Sequence, residues 1–121
     1  MTISKSYNET ISDERMDIMK KKRLGSSDLY VSEVSLGTMS LGTEQKTAER
    51  IIDQALDQAI NYIDTADLYD KGENESIIGK ALKGKRDQVI LATKVGNHLK
   101  PDGTWFWDPS KDYIKKQIKE S

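Results

Sequence analysis

The chain has 121 residues and no cysteine. That is enough for one domain with a single core. It excludes disulfides, thiolate zinc sites and a cysteine nucleophile, and it fits a reducing cytoplasm. The 19 basic and 20 acidic residues are mixed along the chain, and no run approaches a membrane-spanning length, so neither nucleic acid nor a membrane is an expected partner and no metal is called for.

Residues 1–19, MTISKSYNETISDERMDIM, are polar and mixed in charge with no apolar stretch. They read as a loose leader rather than a secretory signal, with Met19 as an alternative start. Patterned sequence begins at Lys20. Lys21 to Leu24 and Leu29 to Val31 flank the polar run Gly25-Ser26-Ser27-Asp28, which predicts a hairpin. Val34-Ser35-Leu36 predicts a short buried strand ending at Gly37-Thr38.

Ala48, Ile51, Ile52, Ala55, Leu56 and Ala59 recur at helical spacing on one face, with Thr43 or Thr47 as the expected cap. Tyr62-Ile63 is the next short strand. Asn74 to Lys83 predicts a second helix with Ile77, Ile78, Ala81 and Leu82 inward, and Gly84 stands where a helix ends. The continuous run Val89-Ile90-Leu91-Ala92 predicts a strand covered on both faces. A loop rich in Gly, Asp and Trp follows. Asp108-Pro109-Ser110 then opens a third helix, capped by either Asp108 or Ser110, with Ile114 and Ile118 inward.

A hairpin followed by β-α-β-α-β-α implies right-handed parallel crossovers. Two architectures share this order, an open doubly wound sheet and a (β/α)8 barrel. A three-stranded parallel sheet that ended at Ser121 would leave a strand of buried type with an open edge. The sequence therefore reads as an incomplete domain over residues 20–121.

In parallel α/β folds, sites form where strands hand over to loops at their carboxyl ends. Three such places carry chemistry: Gly37-Thr38-Met39, Asp64-Thr65-Ala66-Asp67-Leu68-Tyr69 and Ala92-Thr93-Lys94. Asp64, Tyr69 and Lys94 are expected to converge there. Each has a duller reading taken singly: a turn aspartate, a packing tyrosine and a charged strand end. Trp105-Phe106-Trp107, in the third such loop, either lines a pocket for an apolar substrate or packs its loop down. Asp102-Gly103 is a turn signal. His98, a lone loop histidine, is expected to face solvent. The chain has no G-x-G-x-x-G phosphate cradle.

The run from Asn61 through Asp64 to Tyr69, then Asn74-Glu75-Ser76-Ile77-Ile78-Gly79-Lys80-Ala81-Leu82, resembles the signature of the aldo-keto reductases. Arg23-Leu24-Gly25, Leu36-Gly37-Thr38-Met39 and Lys94 in Leu91-Ala92-Thr93-Lys94 match as well, and the similarity covers residues 20–121. The resemblance implies the N-terminal part of a (β/α)8 TIM barrel, a hairpin plus about three βα units. It also implies NADPH-dependent reduction of aldehydes or ketones. Of the family's Asp-Tyr-Lys-His tetrad, three members carry over to Asp64, Tyr69 and Lys94. His98 does not match the fourth, which lies further along than this sequence extends.

In this reading Tyr69 donates a proton to the carbonyl oxygen. A free phenol titrates near 10, and Lys94 beside it is expected to favour phenolate. Asp64 holds the ammonium in place. Gly37, Thr38, Met39, Asp64 and Lys94 are the expected contacts to the nicotinamide end of the cofactor, and Trp105 and Trp107 the candidate substrate wall. The family's phosphate-binding loops lie late in the chain and are not among these residues.

The resemblance leaves a second reading, a truncated chain without activity. A third is a binding role, because the family includes β subunits of potassium channels. A full barrel takes about 250 residues. Three units alone leave apolar surface wet at about 25 cal/mol per Å2, so the isolated chain is expected to fold poorly or to self-associate.

Overall fold

The computed structural model describes residues 19–121. The reading of the leader lies outside the described residues, apart from Met19 itself. The predicted hairpin forms as β1 (Lys21–Arg23) and β2 (Tyr30–Ser32), antiparallel with Lys22 opposite Val31. Asn61 pins it to the rest of the chain. Its side-chain oxygen accepts from the Ser32 amide at 2.7 Å and its Nδ2 donates to the Tyr30 carbonyl at 3.0 Å. Asn61 precedes the central strand, so the hairpin sits at the amino end of the sheet.

That sheet is parallel, in the order β3 (Leu36–Gly37), β4 (Tyr62–Asp64) and β5 (Ile90–Ala92). Leu36 stands opposite Ile63 and Gly37 opposite Asp64, while Asp64 stands opposite Ala92 on the other side. The first strand is shorter than the sequence predicts. Val34 is exposed and outside it, because pairing with β4 begins only at Leu36. β5 is not covered on both faces either. Val89 is buried, but Ile90, Leu91 and Ala92 are half-buried, since helices cover only one face of the sheet among the described residues.

Two helices cover one face, α1 (Gln45–Asp57) and α2 (Glu73–Ala81). Ile52 from α1, Ile78, Ala81 and Leu82 from α2 and its end, Ile63 from β4 and Val89 just before β5 form the core, with Leu36, Leu41, Leu56 and Leu91 against it. Ile63 points into this core, so strand alternation turns Asp64 to the opposite face.

The helix ends carry three corrections. α1 is capped by neither threonine: the Glu44 carboxylate accepts from the amides of Lys46 at 3.0 Å and Thr47 at 2.7 Å. Its longer side chain reaches the same orphan donors that a threonine would serve. Ala59 does not extend the inner face. It adopts a left-handed conformation, φ 61°, while the Ile60 amide bonds the Ala55 carbonyl and the Ala59 amide the Leu56 carbonyl, both at 2.9 Å. This is a Schellman termination with alanine where glycine is usual. α2 ends at Ala81, and Gly84, with φ +80°, lies in the turn beyond rather than at the helix end itself.

The third helix, α3 (Lys111–Glu120), is capped by Ser110, whose hydroxyl accepts from the Tyr113 amide at 3.3 Å. Asp108 instead accepts from the Ser110 amide at 3.0 Å, leaving Pro109 outside the helix. Ile114 is half-buried as predicted, but Ile118 is 62% exposed, because no described element covers that end of the helix.

The segment read as a loop contains a second hairpin, β6 (Asn97–Leu99) and β7 (Trp105–Trp107), with His98 opposite Phe106. Its turn holds Asp102, whose carboxylate accepts from the Thr104 amide at 2.9 Å, and Gly103 at φ +83°. The Asp-Gly pair was the one turn signal for it in the sequence.

Two stability predictions follow from these caps. Ala59→Gly removes a left-handed alanine and should raise unfolding free energy by about 0.5–1 kcal/mol; a lower urea midpoint would refute the strain. The Glu44 carboxyl is held below its ordinary pKa, chiefly by hydrogen bonds from the Thr47 side chain and amide, with smaller help from Lys46 and Arg50. A depressed folded pKa stabilises above the unfolded value and loses that effect as pH falls through the folded one. Glu44→Gln should therefore cost stability at neutral pH, and the gap should close in acid. A gap that persists unchanged at about pH 3 would exclude the charge as its source.

Candidate active site

The parallel ladder does not stop at the strand ends. The Thr38 amide donates to the Asp64 carbonyl at 3.0 Å, the Thr65 amide to Ala92 at 2.8 Å and the Asp67 amide to Lys94 at 3.2 Å. The three strand-to-loop junctions are thereby stitched side by side. Lys94 reaches across them. Its Nζ donates to Asp64 Oδ2 at 2.8 Å, to the Thr65 carbonyl at 2.8 Å and to the Tyr69 hydroxyl at 3.4 Å, and it lies 5.1 Å from the centre of the Tyr69 ring. An ammonium has three hydrogens, and all three are committed here. The Tyr69 oxygen accepts from Lys94, so its own hydrogen is free to point elsewhere.

Lys94 remains 52% exposed at its side chain, so the group faces an open surface. Partial burial disfavours its charge, but hydrogen bonds to Asp64 and Tyr69 outweigh that, and the Lys94 pKa is raised. Tyr69 is held from behind by a strained turn, Tyr69–Gly72. Asp70 at φ 50° and Lys71 at φ 56° are both left-handed before Gly72 at φ 92°. Each non-glycine residue there costs about 1–2 kcal/mol.

The other expected contacts are placed less uniformly. Gly37 is exposed, with open space where a Cβ would stand, and Met39 is exposed as well. Thr38 between them is wholly buried. Its hydroxyl lies 2.9 Å from the Asp64 carbonyl oxygen and 2.8 Å from Asn74 Oδ1, its amide donates to Asp64 and its carbonyl accepts from Leu41 and Asn74, so no part of Thr38 reaches the surface. The residues present thus suit a flat group lying against Gly37 and Asp64. Among the described residues there is no glycine-rich phosphate cradle.

Trp105 and Trp107 stand on one face of β7, 63% and 72% exposed. The Trp107 ring lies 3.8 Å from where a Cβ on Gly96 would be, two residues beyond Lys94. A cleft of about 510 Å3 opens beside the Tyr69 loop, lined by Asp67, Lys71, His98, Lys100 and Tyr113 among others, and neither tryptophan lines it. Burial, then the nearby Glu75 charge, raises the Asp67 pKa, partly offset by His98.

His98 does not face solvent as predicted. It is half-buried on β6, edge-on to Phe106 at 5.4 Å and to Tyr113 at 5.7 Å, with Nδ1 3.3 Å from the Tyr113 hydroxyl. The unforeseen hairpin supplies Phe106, and α3 supplies Tyr113, to cover it. Sequence reading placed Asn74 at a helix start and in the run that resembles the family signature, but gave its side chain no role. Its side chain is wholly buried between Thr38 and Thr65. A buried asparagine in the first turn of an amphipathic helix was the available signal.

A parallel βα array that gathers a lysine, a carboxylate and a tyrosine at its carboxyl ends defines the class, an α/β fold of parallel βα units. Residues 33–121 match the aldo/keto reductase family, and the chain belongs to that family. It is 56% identical over 105 residues to the uncharacterized oxidoreductase YqkF of Bacillus subtilis (strain 168), an alignment covering 85% of this chain and 34% of that protein. The aldo-keto reductase AKR11C1 from Bacillus halodurans, in its holo form, superposes with a TM-score of 0.77 and 58% identity, over 84% of this chain and 35% of the other. An aldo-keto reductase from Klebsiella pneumoniae in complex with NADPH matches with a TM-score of 0.57 and 31% identity, over 64% of this chain and 28% of that one.

The chain spans about a third of the length of the curated relatives it matches. The choice between the two architectures is thereby made: β3 to β5 with their helices are part of a TIM barrel.

Asp64→Asn should lower the Lys94 pKa, because the substitution replaces an ionic acceptor with a neutral one. Titration of the lysine side-chain resonances reads this directly. An unmoved Lys94 would mean that Asp64 does not hold its charge.

Proposed function

We propose that the polypeptide carrying these residues reduces aldehydes or ketones to alcohols with NADPH, using Tyr69 as the proton donor. The observation that carries this reading is a single ammonium, Lys94, bonded at once to the Asp64 carboxylate and the Tyr69 hydroxyl. When bound, the nicotinamide supplies hydride to the carbonyl carbon. Gly37, Met39 and Asp64 offer the surface that would hold its ring, with the buried Thr38 supporting them from beneath. The Klebsiella relative in complex with NADPH supports the choice of cofactor.

The protein's own part is proton delivery. Negative charge builds on the substrate oxygen during reduction, and an acid within hydrogen-bond reach must answer it. Tyr69 is suited to this because Lys94 occupies its oxygen as a donor and leaves its O–H outward. Once the proton has gone, the phenol oxygen keeps a cation at its side. Asp64 balances that cation and fixes its direction. Trp105 and Trp107 form an exposed apolar rim, with Trp107 beside Gly96, that would favour apolar carbonyl substrates.

A second reading, that the 121-residue chain is inactive by itself, is favoured by the open edges of β3 and β5 among the described residues. Assaying this chain beside the whole polypeptide separates the two. In an active preparation, Tyr69→Phe should lower the reduction rate by at least about 100-fold, with NADPH affinity within about twofold. Retention of the normal rate would remove Tyr69 as the donor.

A further inference from the structure

Asn74, in the first turn of α2, is wholly buried and touches no part of the open site, yet every polar atom it carries is aimed at the strand ends that build that site. Its Nδ2 donates to the Thr38 carbonyl at 2.8 Å. That bond fixes which way the carboxamide faces and turns Oδ1 toward two hydroxyls, Thr65 Oγ1 at 2.7 Å and Thr38 Oγ1 at 2.8 Å. Thr38 has one hydroxyl hydrogen, shared between Asn74 Oδ1 and the Asp64 carbonyl oxygen at 2.9 Å. Thr65, held by its hydroxyl, presents its carbonyl to Lys94 at 2.8 Å.

Packing alone does not call for this arrangement. An apolar residue would fill the same core position without the desolvation cost of a carboxamide, a cost recovered only when all its bonds are made. Thr38 directly follows Gly37, and Thr65 directly follows Asp64, the pair that stand opposite each other in the ladder. One amide therefore clamps the ends of β3 and β4 just where Asp64 and the Thr65 carbonyl take two of the three Lys94 hydrogens.

We propose that Asn74 is a positioning residue of this site, acting through Thr38 and Thr65 to hold Asp64 and the Thr65 carbonyl in register with the Lys94 ammonium. Its effect on catalysis rests on the carbonyl-reduction reading above, but its effect on Lys94 does not.

The test uses the intact polypeptide and shape-preserving changes. Thr65→Val deletes the hydroxyl that Asn74 holds, and Thr65→Ser keeps it. Thr65→Val should lower kcat by about tenfold with KM for the carbonyl substrate within about twofold, as expected of a small misplacement of reacting groups. The Lys94 side-chain resonance should titrate at lower pH in that variant, and Thr65→Ser should restore both. Thr38→Val, which removes the other hydroxyl on Asn74, should shift both readouts in the same direction and serves if Thr65→Val does not fold. Wild-type kcat and Lys94 titration in the valine variants would overturn the proposal, as would equal losses in Thr65→Val and Thr65→Ser. If Tyr69→Phe retains full activity, the reductase reading fails by itself, and the Lys94 titration still decides the role of Asn74.

Discussion

The register of three parallel strands is the constraint on which the rest of this molecule depends. Gly37, Asp64 and Ala92 stand in one row, and the ladder continues past them through the amides of Thr38, Thr65 and Asp67. Residues far apart in the chain are brought within one side-chain length of each other only because these rows are aligned. A slip of one residue on β4 would turn Asp64 into the helix-covered core and Ile63 out of it. The burial of Ile63 against Ile52 and Ile78 therefore protects the site as well as the fold. Hydrophobic packing on one face of the sheet sets the polar geometry on the other.

The two ends of the sheet are used differently. At the amino end, Asn61 ties the β1–β2 hairpin down through bonds to Ser32 and Tyr30, a purely structural closure. At the carboxyl end the backbone is held in costly conformations and buried polar groups are clustered. Asp70 and Lys71 are left-handed behind Tyr69, and Thr38, Thr65 and Asn74 share a wholly buried network beneath Asp64. Strain is not confined to that end, since Ala59 is left-handed as well, and Ser32 is buried beside Asn61; what sets the carboxyl end apart is that two left-handed residues and a wholly buried network adjoin the Lys94 cluster.

Much of this was legible in the residues. Periodicity located both core helices, and Ala48, Ile52, Ala55, Ile77, Ile78, Ala81 and Leu82 are buried as that periodicity requires. Asp64, Tyr69 and Lys94 were recognisable from their places after short apolar runs, and they do meet. The misses share a cause. Glu44 displaced the threonines as a cap, and Ala59 left the helix at a left-handed turn, because local bonds between particular backbone groups, rather than residue type, decide where a helix begins and ends. The β6–β7 hairpin went unread because its strands are only three residues long, too short for alternation to stand out against a loop. His98 was misplaced as a consequence.

By itself, the sequence determined the order of the parallel strands and their helices, the inward faces of the two core helices and the places of Asp64, Tyr69 and Lys94 after the strand ends. Each of these depends on spacing along the chain, which side-chain polarity encodes directly. Tertiary structure decided what depends on distance across it: that all three hydrogens of Lys94 are committed, that Thr38 faces inward while Met39 faces out, and that Asn74 reaches both threonines. Those contacts join residues 9 to 36 positions apart. Their geometry is set by the pairing of strands and the seating of α2, where a shift of one ångström makes or breaks a hydrogen bond and no local pattern records it.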